Sequence, residues 1–208
     1  MDNGDDVVES MEDVHDEHYW RNLIEENPFD GYARHSLIGL LRKSASSICQ
    51  QERVTSSDAC LMPAEFWLDW IEDEINAGKD SKDIVDLFDR ALVDYKRPEI
   101  YRRYIKWACE ASTELGTAVL EKTCEAIGLR VDTAAEIWSL YIDFEKGKMN
   151  SSDTDESKKR AAVGKLYERF LKIPHLGMEN SWDDYEDFIG MESSAQNEKS
   201  TPLVGGDS

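Results

Sequence analysis

The stretch EFWLDWIEDE, residues 65–74, combines one phenylalanine and two tryptophans with five acidic residues. Trp67 and Trp70 lie three residues apart and Glu74 follows Trp67 by seven, so these side chains would project from neighbouring turns on one face of a helix. Acidic residues between the aromatic ones favour contact with water. The stretch therefore predicts an amphipathic helix whose tryptophans pack inward.

A couplet of two aromatic residues separated by two positions recurs along the chain. Its four copies are Trp67/Trp70, Tyr101/Tyr104, Trp138/Tyr141 and Trp182/Tyr185. The first aromatics of successive copies are 34, 37 and 44 residues apart, and a helix of a second kind lies between them. Those second helices contain LFDRALVDYKRP at 87–98, KTCEAIGLR at 122–130 and LYERFLKIP at 166–174. This periodicity predicts two-helix repeats with connections of variable length.

Each predicted hairpin is too small to bury its apolar side chains alone, and stacking on a neighbouring hairpin supplies the missing burial. We therefore predict an all-α fold, a right-handed α-solenoid of antiparallel helical hairpins. The predicted segments are an acidic disordered tail at 1–15, a helical hairpin at 16–43, a loop at 44–62, three full repeats and one partial repeat at 63–190, and a disordered tail at 191–208. A charged, serine-rich insert at 148–158 stretches the spacing before the last couplet.

The repeat copies differ in a way that suggests one coupled pair of side chains. Two positions of the repeat are compared: the residue seven after the first aromatic, and the residue two after the aromatic of the second helix. Two copies carry charged residues at both positions, and one copy carries alanine at both. The residues are Glu74 with Arg90 in copy one, Glu145 with Arg169 in copy three, and Ala108 with Ala126 in copy two. We predict that the Glu and Arg of one repeat form an ion pair. Chance agreement of solvent-exposed residues is the alternative.

The charge of the chain limits its partners. Asp and Glu number 44 against 24 Lys and Arg, which gives a formal net charge of −20. Nucleic-acid binding rests largely on Lys and Arg that displace counterions from phosphates, so direct binding of RNA or DNA is not expected. A protein partner with basic or amphipathic segments fits this charge better, and salt should weaken such a complex.

Neither the cysteines nor the hydropathy pattern indicates a secreted or membrane protein. Cys49, Cys60, Cys109 and Cys124 show no CxxC spacing, and we expect reduced thiols in an intracellular protein. Residues 1–18 contain eight acids and no basic or apolar run, which argues against a secretory signal peptide. No stretch approaches the roughly eighteen consecutive apolar residues of a membrane-spanning helix.

Catalytic and metal sites find little support in the sequence. The patterns GxxxxGKS/T, GxGxxG, GxSxG and HExxH are all absent. The run HDEH at 15–18 has two histidines three apart, but no Cys or third His accompanies them, and a solvated helix start is the simpler interpretation. Cys49 with His35 could form a nucleophile and base, yet nothing orients either. We therefore predict no catalytic, cofactor-binding or metal-binding residues, and the residues that bind protein are not identified.

A helix that carries an aromatic couplet and ends in Glu, followed by a helix of the LFDRAL or LYERFL kind and a proline, resembles the HAT (half-a-TPR) repeat of RNA-processing proteins. Three stretches are similar, in this order, to the N-terminal HAT repeats of the squamous cell carcinoma antigen recognised by T cells family of spliceosomal U4/U6 recycling factors. They are MPAEFWLDWIEDEI at 62–75, LFDRALVDYKRPEIYRRY at 87–104 and IPHLGMENSWDDYEDF at 173–188. NPFDGYARHSLIGLLR at 27–42 resembles the hairpin that precedes those repeats.

The resemblance implies a TPR-like scaffold that helps reassemble the U4/U6 small nuclear ribonucleoprotein, with HAT repeats that bind proteins and separate RNA-recognition motifs that bind RNA. No RNP-type aromatic pattern is present here, so the family's RNA-binding activity is not carried over. We expect either a truncated product with an alternative tail or a fragment. A HAT module of another RNA-processing complex, such as a crooked-neck-like splicing protein or an mRNA 3'-end cleavage factor, is an open alternative.

The resemblance also implies that the chain acts in the nucleus. SKKRAAVGK at 157–165 contains three consecutive cations that could form a nuclear-import signal, although a solvated helix start is the simpler interpretation. Placement in the nucleus therefore rests mainly on the family resemblance.

The last predicted helix, around SWDDYEDFIG at 181–190, has no following partner helix in this sequence. Trp182, Tyr185 and Phe188 should therefore be only partly covered. Two outcomes are open: self-association through this helix, or shielding by residues 202–204 folding back.

Overall fold

Ten α-helices joined by short connections make up the described part of the chain. A computed structural model describes residues 16–43, 47–149 and 156–199. The helices are α1 Glu17–Glu26, α2 Gly31–Lys43, α3 Ser47–Ala59, α4 Ala64–Asn76, α5 Ser81–Asp94, α6 Pro98–Ala111, α7 Thr113–Ile127, α8 Ala134–Met149, α9 Glu156–Phe170 and α10 Met178–Lys199. These ranges contain no strand, and the predicted all-α class is confirmed. None of the helices described is long and apolar enough to cross a membrane.

Side-chain caps explain where several helices begin. The carboxylate of Asp16 accepts from the Tyr19 amide at 2.9 Å, and Asp30 accepts from the Ala33 amide at 3.0 Å. Ser112 caps α7 in the same way through the Leu115 amide at 3.1 Å. Each cap satisfies one of the first-turn amides that lack a partner within the helix.

The helices divide into two compact units, with the boundary between Tyr95 and Lys96. In the first unit α1 packs on α2, α2 on α3, and α4 on α5. In the second unit α6 packs on α7, α7 on α8, and α8 on α9. In these six pairs, helices that follow one another in sequence pack side by side, as stacked hairpins require.

The first three aromatic couplets form the core of these hairpins. Trp67, Tyr101 and Trp138 are 1%, 3% and 3% exposed, and the second member of each couplet is buried as well. The Trp67 and Trp70 rings stack at 5.7 Å, while Trp138 stacks at 6.0 Å on Phe170 of the following helix. The prediction that the couplets point inward is confirmed, and each buried ring contributes roughly 1.5–3 kcal/mol.

The fourth couplet is only partly covered. Trp182 is 49% exposed and Tyr185 is half-buried, whereas Phe188 is buried against the Tyr167 ring of α9 at 5.6 Å. The exposed Trp182 indole donates to Glu186, one turn further along α10, at 2.8 Å. The partial cover predicted for this helix is thus confirmed, with the outer side formed by Trp182.

The prediction of a loop at 44–62 is wrong over most of its length, because residues 47–59 form α3. This helix buries Cys49, Arg53 and Ser56, whose spacing of four and three residues is that of one helix face. Two of these three side chains are polar, so the inward stripe shows no apolar periodicity in the sequence. Residues 44–46 lie outside the described residues.

The prediction of a disordered tail at 191–208 is wrong for its first half, because α10 continues to Lys199. The stretch MESSAQNEK is polar but contains several good helix formers and no Pro or Gly until Pro202, so nothing stops the helix earlier. Residues 200–208 lie outside the described residues. The predicted tail at 1–15 and part of the insert, 150–155, lie outside them as well, whereas α9 already begins at Glu156.

Helix α7 approaches both of its neighbours closely at Gly116. A Cβ at this position would lie 2.6 Å from Cζ of Phe144 on α8 and 3.1 Å from Cα of Cys109 on α6. The second contact is with backbone, which cannot move aside as a side chain can. Glycine at this position therefore allows the three helices to pack at their observed separation.

Replacing Gly116 with alanine should lower the free energy of unfolding by about 1–3 kcal/mol, because overpacking outweighs the better helix propensity of alanine. Gly164→Ala in α9 is the matched control, since a Cβ there meets nothing within 4 Å. The control should gain up to about 1 kcal/mol. Chemical denaturation followed by circular dichroism measures both, and stabilisation by Gly116→Ala would contradict the close packing.

Candidate functional site

Among the described residues, five arginine ion pairs each join a helix to the next but one within its unit. In every case a guanidinium nitrogen lies within hydrogen-bond distance of a carboxylate. The pairs are Arg21–Glu52 at 3.0 Å, Arg42–Asp69 at 2.9 Å and Arg90–Asp58 at 3.0 Å in the first unit, and Arg102–Glu136 at 2.6 Å and Arg169–Glu121 at 2.7 Å in the second. These contacts connect equivalent helices of successive hairpins.

The predicted ion pair within a repeat is wrong for Glu74 and Arg90. Glu74 accepts from the Trp70 indole at 3.0 Å and from Gln50 of α3 at 2.6 Å. Arg90 instead donates to Asp58 of α3 at 3.0 Å, and its guanidinium lies 5.7 Å from the Trp70 ring centroid. Both residues therefore contact the preceding helix α3 rather than each other.

The third copy behaves in the same way, so the predicted pair of Glu145 and Arg169 is also wrong. Glu145 accepts from Thr117 of α7 at 3.2 Å and from Lys148 at 2.5 Å. Arg169 makes two hydrogen bonds to Glu121 of α7, at 2.7 and 3.1 Å. The Glu and Arg do occur together in copies one and three, but they do not contact each other. Both bind the helix that precedes their repeat, which is α3 for copy one and α7 for copy three.

Arg169 combines two contacts that fix α9. Its guanidinium lies 5.0 Å from the Trp138 ring centroid, which is a cation–π distance. The hydrogen bonds from Arg169 hold the pKa of Glu121 below its ordinary value. Arg169 therefore links α7, α8 and α9.

A buried arginine in α3 occupies a place where an apolar residue is usual. Arg53 pairs with Asp73 of α4, and Asp73 also accepts from Arg42 of α2 at 2.6 Å. Burial raises the pKa of the Asp73 carboxyl, but the hydrogen bonds from the two guanidinium groups outweigh this and leave its pKa below the ordinary value. One carboxylate thus joins α2, α3 and α4.

A cavity of about 240 Å³ opens among α3, α4 and α5 in the first unit. Trp70 and Glu74 line it from α4, Gln50 from α3, and Asp83 and Asp86 from α5. Trp70 is buried, while both aspartates are exposed. No protein-binding residue could be named from the sequence, and this cavity was missed because its α3 wall was interpreted as a loop.

The cysteines are poor candidates for a nucleophile. All four are free thiols, and burial raises the pKa of each, that of Cys124 to about 12. The Cys49 Sγ lies 3.9 Å from the Ile38 carbonyl oxygen and has no hydrogen bond to His35. Because the thiolate is the reactive form, these environments disfavour cysteine catalysis.

The basic run at 157–165 lies in the first half of α9, where two of its cations pack against the protein. Lys159 donates to the Lys148 carbonyl oxygen at 3.0 Å, and Arg160 lies 5.6 Å from the Phe188 ring centroid. The run therefore does begin a helix, as that interpretation held, but Lys159 and Arg160 are only partly exposed to solvent. For HDEH at 15–18, His15 lies outside the described residues and His18 is exposed in α1.

Replacing Arg169 with alanine should lower the free energy of unfolding by about 1–2 kcal/mol, because both the cation–π contact with Trp138 and the paired hydrogen bonds to Glu121 are lost. Arg169→Lys keeps the charge without the forked contact and should give an intermediate loss. Chemical denaturation at neutral pH measures the difference.

The same variant should respond to pH. Because the pKa of Glu121 is lowered in the folded state, its contribution is present above the ordinary glutamate pKa of about 4.3 and is lost as the pH falls below that value. The stability gap between wild type and Arg169→Ala should therefore narrow in acid. Arg130→Ala, which removes an exposed local pair with Asp132, is the control, and an equal loss there would argue against the special role of Arg169.

Comparison with known proteins identifies the relatives of these repeats. A family model described as "Suppressor of forked protein (Suf)" matches residues 15–201. The chain is 28% identical to "Spliceosome associated factor 3, U4/U6 recycling protein" of Homo sapiens over 171 residues, which cover 78% of this chain and 17% of that protein. It is 25% identical over 179 residues to "mRNA 3'-end-processing protein rna14" of Schizosaccharomyces pombe, covering 81% of this chain and 24% of that protein.

A third relative is "Protein suppressor of forked" of Drosophila melanogaster, which is 27% identical over 128 residues, 59% of this chain and 16% of that protein. The chain thus spans less than a quarter of the length of these relatives. The family match covers all ten described helices, and the resemblance to HAT repeats is confirmed. The chain therefore belongs to the Suppressor of forked (Suf) family of HAT-repeat proteins.

Proposed function

We propose that this chain is a protein-binding HAT-repeat scaffold in RNA processing, acting in pre-mRNA splicing and in the assembly or recycling of the U4/U6 snRNP. Support comes from the similarity to the U4/U6 recycling protein, which covers 78% of the chain. The stacked hairpins supply surfaces for protein contact, while the thiol environments and the absence of catalytic patterns offer little for an enzyme.

The partners we propose are splicing or snRNP proteins with basic or amphipathic segments. A net charge of −20 supports this choice, because it favours association with basic surfaces and opposes contact with phosphate backbones. Exposed acids such as Asp83 and Asp86 make no ion pair within the described residues, and they remain available to a partner. Direct nucleic-acid binding is not part of the proposal.

A role in mRNA 3'-end processing is the second candidate. Its support is that one of the relatives named above is an mRNA 3'-end-processing protein, whose match covers 81% of this chain. HAT repeats alone do not separate the two roles, since each of these relatives matches more than half of the chain. The proteins that co-purify with the chain would decide between them.

The nucleus is the compartment we propose. The named activities of the relatives, U4/U6 recycling and mRNA 3'-end processing, support this. The basic run at 157–165 adds little, because two of its cations, Lys159 and Arg160, contact α8 and α10. Fluorescence microscopy of the tagged chain would test the assignment, with Lys158→Ala as a variant for the import-signal alternative.

The immobilised chain should retain splicing or U4/U6 snRNP proteins from nuclease-treated nuclear extract. Retention should fall between about 0.1 M and 0.5 M salt, because the contacts to an acidic surface are screened. Mass spectrometry identifies the retained proteins. Retention of cleavage and polyadenylation factors would favour the second candidate, and retention of neither group would contradict both.

Self-association through the last helix stays a prediction. Its support is the exposed outer side of α10, where Trp182 is 49% exposed. Sedimentation velocity at increasing concentration should show a dimer for the wild type and a monomer for Trp182→Ala. A monomeric wild type at high concentration would contradict the prediction.

A further inference from the structure

The cavity among α3, α4 and α5 has an apolar floor and an acidic rim. Ile84 and Leu87 are buried in its wall, and the Trp70 indole is held in place by its hydrogen bond to Glu74. Asp83 and Asp86 stand three residues apart on α5, so their carboxylates lie on the same side of that helix. The cavity therefore offers a surface for an aliphatic stem beside a place for a positive charge.

The size of the cavity selects its occupant. Pockets for small-molecule ligands usually measure about 300–1,000 Å³, and this one measures about 240 Å³. A single long side chain fits such a space better than a cofactor does. An occupant that enters as part of a longer segment would leave its backbone at the rim.

The charges around the cavity differ in whether they already have partners. Arg90 is held by Asp58 at 3.0 Å and by Ser57 at 2.8 Å, and Lys79 lies 3.8 Å from Glu74. Asp83 and Asp86 make no ion pair in the part of the chain that the structure describes. Two carboxylates are thus uncommitted while both cations are engaged, which favours a positively charged occupant.

We propose that this cavity binds an arginine side chain of a partner protein, with the guanidinium between Asp83 and Asp86 and the stem against Ile84 and Leu87. A planar guanidinium can donate to two carboxylates at once, which a lysine ammonium does less well. The proposal deepens the protein-binding function above and rests on it.

Nitrogen-labelled protein titrated with the capped peptide Gly-Arg-Gly-Arg-Gly tests the site directly. The indole N–H resonance of Trp70, assigned with Trp70→Phe, should shift because its acceptor Glu74 lines the cavity. The same peptide with citrulline in place of arginine has nearly the same shape without the charge and should cause no shift. Equal shifts with both peptides, or shifts spread over all six tryptophans, would overturn the proposal.

Two double variants distinguish the contribution of the cavity to peptide binding from that of the overall charge of the chain. Asp83→Asn with Asp86→Asn removes the rim, and Asp183→Asn with Asp184→Asn on α10 removes the same two charges elsewhere. The first should raise the Kd for the arginine peptide about tenfold or more, as expected for the loss of a charge-assisted contact. The second should change it little beyond general screening, and equal losses in both variants would overturn the proposal.

Capture from nuclear extract with the same two variants distinguishes this proposal from the proposed function. Loss of the retained splicing proteins by the rim variant alone supports both. If wild type and both variants retain the same proteins equally, the cavity is not the docking site, although the scaffold function stands. If the wild type retains no splicing protein while the arginine peptide still binds at Asp83 and Asp86, the scaffold function in splicing fails and the site remains.

Discussion

Burial of the aromatic couplets is the constraint on which the rest of this structure depends. The helices that carry Trp67, Tyr101 and Trp138 are 13, 14 and 16 residues long. These lengths lie close to the limit of about 12–15 residues below which isolated helices are marginal in water, and most helical stability in proteins comes from tertiary packing. Their stability must come from packing against neighbours. Because the couplets determine which face of each helix turns inward, they also determine where the arginines and acids of the other faces can meet.

The ion pairs between alternate helices contribute little to stability, but they favour one orientation of each helix about its axis. An exposed pair contributes about 0.2–1 kcal/mol, far less than one buried tryptophan. Their geometry is nevertheless the same in two repeats. Arg90 of α5 contacts Trp67 of α4 and Asp58 of α3. Arg169 of α9 likewise contacts Trp138 of α8 and Glu121 of α7. Such contacts favour one rotation of each helix about its axis over others that would bury a similar apolar area.

Apolar periodicity made most of the fold predictable, and its absence explains what was missed. The couplets and the existence of helices α5, α7 and α9 follow from spacing alone. Helix α3 was missed because its buried face consists of Cys49, Arg53 and Ser56, which give no apolar periodicity. The cavity was missed for the same reason, because Gln50 of α3 forms one of its walls. The partners of Glu74 and Glu145 were assigned wrongly because co-occurrence in repeat copies does not reveal which helix a side chain faces.

The uneven cover of the tryptophans has an optical consequence. Five of the six indoles are buried in the described residues: Trp20, Trp67, Trp70, Trp107 and Trp138. Trp182 alone is half open to water, so a collisional quencher of fluorescence would reach its ring and dim the red edge of the emission first. With twenty excess negative charges on the chain, caesium ions would be drawn to that ring and iodide held away.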